Sequence, residues 1–296
     1  MTIRKTGDLN NISNNKKLYK IFTMAGQYES RNLTVKHIRD SKGIRQFIET
    51  LPFSPEEATA AEEAGIDMMN VRYDPLSPDL AIAIRKAAPN TFMSFVMPLL
   101  SVTSKEQALR FAFDAMERGA DSIMCQCSLD FVSEMARSGV PVQGHVGLVP
   151  RKSTWTGGLR AVGKTVDEAT EIFHAIKALE NAGAWAVECE LVPSLVMEEL
   201  SKRTSLVTIS IGSGSGADVQ FLFAQDILGD GFAPFPRHSK QYCNLMAMRE
   251  KMQLERVKAF RKYIDEVNSG EFPATCNEVS IDEELIPKII EAIEGD

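Results

Sequence analysis

Positive charge is the first thing this chain is short of: 33 Lys and Arg stand against 40 Asp and Glu, a formal net charge of −7. Non-specific nucleic-acid binding needs clustered cations over phosphates, so that class of partner is set aside. Long apolar runs are missing too. None approaches the ~20 residues of a membrane-spanning helix, so no membrane partner is expected. The opening Met1-Thr2-Ile3-Arg4-Lys5 has no apolar core behind it and is not a signal peptide. Cysteine is sparse and odd in number, five in 296 residues without regular spacing. That excludes a disulfide framework and favours reduced thiols in a cytoplasmic protein.

What is present is a repeated unit: a short β-rich run, a polar turn, then an amphipathic helix. Residues 1 to about 20 are polar and read as a loosely ordered extension, and Leu33 to Arg45 reads as helix. Strands are expected near Gln46–Leu51, Asp67–Val71, Phe92–Met97, Ser122–Cys127, Val140–Leu148, Trp185–Leu191, Leu206–Ile211 and Gly231–Phe235. Ser54-Pro55-Glu56-Glu57 and Thr165-Val166-Asp167-Glu168 are helix starts, with capping hydroxyls and acids in the first turn. A helix is expected to fill the interval from Ile211 to Leu228.

About eight such units make a TIM (β/α)8 barrel the expected fold, although an open doubly wound sheet has the same local signals. The expected organisation is an N-terminal extension over 1–45, a barrel over 46–240, and extra C-terminal helices over 241–296. The last of these, around Ile281–Gly295, could pack against a neighbouring subunit.

In a barrel, chemistry is placed at the C-terminal ends of the strands. Those ends supply Tyr73, Asp74, Met97, Cys125 to Cys127, His145, Glu190, Ser213 and Gly214. A carboxylate at a strand exit is costly to bury, so Glu190 needs a partner, a metal or a task. Burial would raise its pKa and suit it to removing a proton beside a carbonyl, and Glu188, two residues earlier on the same face, would push one of the pair higher still. The competing reading is a pair of ion pairs with Lys or Arg deeper in the barrel. His145 either polarises a substrate oxygen or is a hydrogen-bonded core histidine. Cys125 and Cys127 have neither a second Cys pair nor a nearby His motif, so zinc is not expected and buried thiols are the simpler reading. Ile211-Gly212-Ser213-Gly214-Ser215-Gly216 resembles a phosphate cradle but has neither dinucleotide nor P-loop spacing.

With those residues in place, the chain resembles ketopantoate hydroxymethyltransferase, within the phosphoenolpyruvate mutase and isocitrate lyase superfamily. The resemblance runs from about Gln46 to Pro273. It is strongest over Val140-Pro141-Val142-Gln143-Gly144-His145-Val146-Gly147-Leu148-Val149-Pro150, close to the family's V-P-V-x-G-H-L-G-L-T-P. Glu190-Leu191-Val192-Pro193 matches E-C-V-P, and Ile211-Gly212-Ser213-Gly214 matches I-G-A-G. The resemblance implies a homo-oligomeric TIM barrel in pantothenate biosynthesis. Its substrates would be 3-methyl-2-oxobutanoate, a small 2-oxo acid, and 5,10-methylenetetrahydrofolate as one-carbon donor. It places the general base at Glu190 and the substrate-side histidine at His145.

The resemblance also implies Mg²⁺, and here the chain departs from the pattern. Tyr73 stands where V-G-D-S has a metal-binding Asp, Val96 where A-D-L-P has another, and Gln126 where V-K-I-E-G has its Glu; Met124 replaces the lysine of that last motif. Magnesium wants hard oxygen ligands, usually carboxylates. The expectation is therefore no metal ligands among these residues, with Arg72, Tyr73, Asp74, Gln126, Ser213 and Gly214 binding substrate. Arg72 could grip a carboxylate bidentately and stabilise an enolate without metal. Two alternatives stay open: a metal-independent aldolase or lyase for another oxo acid, and a non-catalytic barrel that binds a metabolite.

Overall fold

The computed structural model describes residues 17–231 and 234–295. By its contacts the chain divides into two compact units, one running to Cys243 and the other starting at Asn244.

The first unit opens with an antiparallel hairpin, β1 (Tyr19–Phe22) and β2 (Tyr28–Arg31), and a short helix, α1 (Val35–Asp40). Helix α1 covers less than the interval expected from Leu33 to Arg45. The start of the expected loose extension lies outside the described residues, but its end is the ordered strand β1. Arg31 explains how the hairpin is anchored. Buried to 2% exposure, it donates to Asp121 at 2.8 Å, while Asn32 exchanges hydrogen bonds with Asp67 and Phe92. These partners sit at the N-terminal ends of barrel strands, so the hairpin covers the barrel floor.

The barrel alternates β3 (Phe47–Leu51), α2 (Pro55–Ala64), β4 (Met68–Arg72), α3 (Asp79–Ala87), β5 (Phe92–Val96) and α4 (Lys105–Glu117). It continues with β6 (Ser122–Met124), α5 (Leu129–Arg137), β7 (Val142–Gly147), α6 (Val166–Asn181), β8 (Ala186–Glu190), α7 (Ser194–Ser201), β9 (Val207–Ile211), β10 (Val219–Phe223) and α8 (Ala224–Leu228). All eight strands from β3 to β10 are parallel, and β10 closes the barrel on β3 through Val219 to Phe47 and Phe223 to Leu51. The fold is a TIM barrel.

The closing strand corrects the sequence reading. It lies inside the interval expected to be helix, and the described residues at Gly231–Phe235 form no strand. Val219-Gln220-Phe221-Leu222-Phe223 has the apolar period of two that strands require. The preceding glycines make a turn into that strand instead of opening a helix. A second correction concerns Cys125 to Cys127, which lie beyond the end of β6 rather than on it.

Helix starts follow local chemistry. The hydroxyls of Ser54, Ser104, Ser128 and Thr165 each accept a backbone N–H of the first turn. The apolar faces of α2 to α6 pack on the outward residues of the strands, Met69, Val71, Met93, Phe95, Ile123 and Val187 among them. A second cluster, including Phe47, Met68, Phe92, Val207 and Val219, fills the lower barrel interior. Above it the inward positions turn polar. The second unit carries α9 (Leu245–Ser269) and α10 (Ile286–Glu294). No helix among the described residues is long and apolar enough to cross a membrane.

Candidate active site

Strand alternation decides which side chains reach the upper barrel. Inward positions two apart give Asn70 and Arg72, Ser94 and Val96, Gln143 and His145, Glu188 and Glu190. All of these but Ser94 and Gln143 line a cavity of about 690 Å³ at the C-terminal rim, walled by apolar side chains such as Leu51, Val96, Met124, Phe221 and Phe223.

Glu190 is the last residue of β8, and the backbone around it is unusually constrained. Leu191, next in the chain, has φ +51, the one positive φ at a non-glycine position among the described residues. Ser213 brackets this turn: its hydroxyl donates to the Cys189 carbonyl at 2.8 Å and accepts from Val192 N–H at 2.9 Å. The Glu190 carbonyl accepts from Leu148 N–H at 2.9 Å. Gly147 allows that approach, because a Cβ there would lie 2.3 Å from the Glu190 oxygen.

The side chains form a short relay. His145 Nε2 lies 3.0 Å from the Leu148 carbonyl oxygen and 3.3 Å from Glu190 Oε2, and Nδ1 lies 3.8 Å from Glu188 Oε1. A carbonyl only accepts, so Nε2 carries hydrogen. Burial by itself would lower the His145 pKa, but the charges of Glu188 and Glu190 outweigh it and hold it above the ordinary value. Burial pushes Glu188 up to about 7, with His145 pulling it down and Glu190 adding to the rise. Glu49, deeper in the barrel, is raised well above the carboxylate range by burial and then by the Glu188 charge. Neither Glu188 nor Glu190 pairs with a Lys or Arg among the described residues, unlike the structural ion pairs that the sequence left open.

The substrate-side expectations fall in different places. Arg72, Asp74 and Gln126 line the cavity. The Arg72 guanidinium stacks on Phe53 at 4.8 Å and meets no carboxylate among the described residues. Tyr73 reaches the cavity wall, but its hydroxyl donates to Asp114 on α4 and its ring packs on Phe95 and Phe111. Ser213 and Gly214 lie off the cavity; Gly214 has φ +82 and its carbonyl accepts from Ser210 and Gln220. Both support the turns beside Glu190. Arg151, Asp226 and His238 also line the cavity and were not singled out individually. His238 lies in a loop beyond the last barrel strand, and loop residues carry no period to mark them.

Cys127 is half-buried beside Cys125. A hydrogen bond from the Cys125 thiol lowers its pKa to about 7 against the cost of burial, with Lys152 assisting. The same pairing, with burial, pushes Cys125 well up, and burial does so for Cys189. Iodoacetamide is therefore expected to alkylate Cys127 with a rate that rises through about pH 7 and levels off by pH 8.5, sparing Cys125 and Cys189. Peptide mapping after pulsed labelling reads this, and a rate still climbing tenfold per pH unit at 8.5 would contradict it.

A closed parallel barrel with a carboxylate, an imidazole and a guanidinium gathered at its C-terminal rim is the architecture of a barrel enzyme. Comparison with known proteins narrows this. Residues 66–275 match the family model described as ketopantoate hydroxymethyltransferase, and the chain belongs to that transferase family. The 3-methyl-2-oxobutanoate hydroxymethyltransferase of Kosmotoga olearia is 34% identical over 265 residues, covering 83% of this chain and 97% of that one. Its namesake from Deinococcus radiodurans is 34% identical over 254 residues, covering 78% and 87%. Among solved structures, 2,3-dimethylmalate lyase, a member of the phosphoenolpyruvate mutase and isocitrate lyase superfamily, aligns with a TM-score of 0.47 at 13% identity. That alignment covers 89% of this chain and 95% of that one.

The side chains at the positions that the resemblance assigns to Mg²⁺ do not fit the ion. The Tyr73 hydroxyl is committed to Asp114, outside the barrel interior, while Val96 and Gln126 bring no charge to the cavity wall.

Proposed function

We propose that the chain transfers a hydroxymethyl group to a small 2-oxo acid such as 3-methyl-2-oxobutanoate by enolate chemistry, with Glu190 as general base. The observation that carries this reading is the placement of Glu190: a carboxylate held by a strained turn, facing the cavity, within 3.3 Å of His145 Nε2. It would take the C3 proton of the oxo acid to leave an enolate. 5,10-Methylenetetrahydrofolate is the co-substrate supported by family membership: water adds to its methylene carbon, both C–N bonds break, and tetrahydrofolate leaves. The enolate carbon bonds to the released formaldehyde-level carbon, whose oxygen takes the proton back from Glu190. The Nε2–H of His145 lies beside Glu190 and is suited to steady the negative charge there.

Arg72 supplies the positive charge on the opposite wall. A guanidinium held over the Phe53 ring, with no carboxylate partner among the described residues, is suited to receive the substrate carboxylate bidentately. Replacing it by Gln should raise KM by about 10- to 100-fold with a smaller change in kcat, the size of one charge-assisted pair. Unchanged KM for the oxo acid would remove Arg72 from the site.

The test of the reaction is proton NMR of 3-methyl-2-oxobutanoate in deuterated water, followed by addition of the folate donor. Loss of the C3 proton signal and then appearance of the hydroxymethylated product support the reading. Exchange without transfer from folate would favour an aldolase or lyase, and no exchange from folded protein would remove this substrate.

A further inference from the structure

One layer below the rim, Glu49, Asn70, Ser94, Gln143 and Glu188 point into the barrel from β3, β4, β5, β7 and β8, each at most 4% exposed. Barrels usually fill this level with branched apolar side chains. Here the groups converge on one carboxylate. Asn70 Nδ2 and Gln143 Nε2 reach Glu188 Oε2 at 3.4 and 3.5 Å, and His145 Nδ1 stands 3.8 Å from Oε1. What is left over is mostly acceptors. Asn70 Oδ1, Gln143 Oε1, both oxygens of Glu49, His145 Nδ1 and the Ser94 hydroxyl have no hydrogen-bond partner among the described residues, and of these the hydroxyl can donate only one hydrogen bond. Each such buried atom costs on the order of 1–3 kcal/mol if it stays unsatisfied.

A single positive centre would satisfy several of these at once. His145 is already set as a ligand: its Nε2–H is donated to the Leu148 carbonyl, which in the neutral ring leaves the lone pair on Nδ1. His145, Glu188 and Glu190 offer one nitrogen and two carboxylate oxygens, all within 4.8 Å of one another. Metal–ligand bonds of about 2.1 Å span ligand pairs up to about 4.2 Å apart, so small rotations of the two Glu side chains close the set.

We propose that His145 Nδ1, Glu188 and Glu190 bind a divalent transition-metal cation, with the acceptor oxygens of Asn70, Gln143 and Glu49 behind it. The mixed nitrogen and carboxylate donors suit Mn²⁺, Fe²⁺ or Zn²⁺ better than Mg²⁺. The ligands stand on β7 and β8, whereas the positions that the resemblance assigns to Mg²⁺ lie at or just beyond the ends of β4, β5 and β6. With the ion bound, Glu190 is a ligand and no longer free to take a proton. Metal should therefore inhibit proton exchange at the proposed active site instead of supporting it.

The experiment is Mn²⁺ titration of chelator-treated, full-length protein, with free Mn²⁺ read by electron paramagnetic resonance and Zn²⁺ as competitor. One ion per chain is expected. Glu188→Gln and His145→Asn should each weaken binding at least about tenfold, since even changes outside the ligand shell reach that size. Gln126→Ala should leave binding unchanged. Glu188→Gln keeps the shape of the side chain, and circular dichroism checks that both weakened variants remain folded. Absence of stoichiometric binding, or binding unaffected by Glu188→Gln in folded protein, would overturn the proposal. Binding lost in Gln126→Ala but kept in Glu188→Gln would move the ion to the other strands and overturn it equally. These readouts measure binding directly, so they stand whether or not the hydroxymethyl transfer is found.

Discussion

Glu190→Gln is expected to slow deuterium exchange at C3 of 3-methyl-2-oxobutanoate by about 10²- to 10⁴-fold, the usual contribution of a positioned general base. The amide keeps the length and shape of the carboxylate but cannot accept the proton. The loss should fall on kcat, with KM for the oxo acid little changed, because the substrate carboxylate is assigned to Arg72. Stability should be nearly untouched. The Glu190 side chain is 13% exposed, and its contact with His145 is the longer of the two that Nε2 makes, so the Leu148 carbonyl still satisfies that N–H. An unfolding temperature within roughly 2 °C of the parent protein would fit this. Exchange that survives in Glu190→Gln and disappears in Glu188→Gln would transfer the base one layer down and refute the assignment.

The second large effect is expected far from any reacting atom. Gly147→Ala should destabilise the protein by at least about 2 kcal/mol, since a left-handed backbone at a non-glycine residue alone costs about 1–3 kcal/mol. Gly147 has φ +82, and an added Cβ would sit 2.3 Å from the Glu190 carbonyl oxygen and 2.9 Å from Val192. The neighbour is backbone, so it cannot swing aside. Relief requires moving the end of β8, and with it the Glu190 side chain, so activity should fall together with stability. Gly139→Ala provides the control. Its φ of +84 imposes a similar conformational cost, but no atom of the described residues lies within 4 Å of the added Cβ. Gly139→Ala should therefore lose about 1 kcal/mol and keep its activity. Chemical denaturation of the three proteins measures this, and equal losses in the two variants would mean that the contact with Glu190 does not matter.

Much of this was legible in the chain. The capping residues Ser54 and Thr165 act where their sequence context places them, because capping is settled within four residues. Seven of the eight barrel strands lie where their apolar runs are. The eighth, Val219–Phe223, was hidden by its neighbourhood: it follows a glycine-rich turn and is recognised as a strand through its pairing with β3, more than 160 residues earlier. His145 and Glu190 were visible as polar groups ending apolar runs. The third carboxylate, Glu49, carried no such signal, since its meaning depends on Glu188 across the barrel interior and no local period records that.

The sequence by itself determined the repeating β/α order, the helix starts, and the delivery of one imidazole and one carboxylate to the same rim. It did so because hydrophobic period, capping and turn chemistry are short-range. Only the tertiary structure decided that Tyr73 spends its hydroxyl on Asp114, that Ser213 braces the Glu190 turn from outside the cavity, and that Arg72 lines the cavity over the Phe53 ring. Each of these depends on contacts between residues 19 or more positions apart, and on which way a strand-end side chain turns once the barrel has closed.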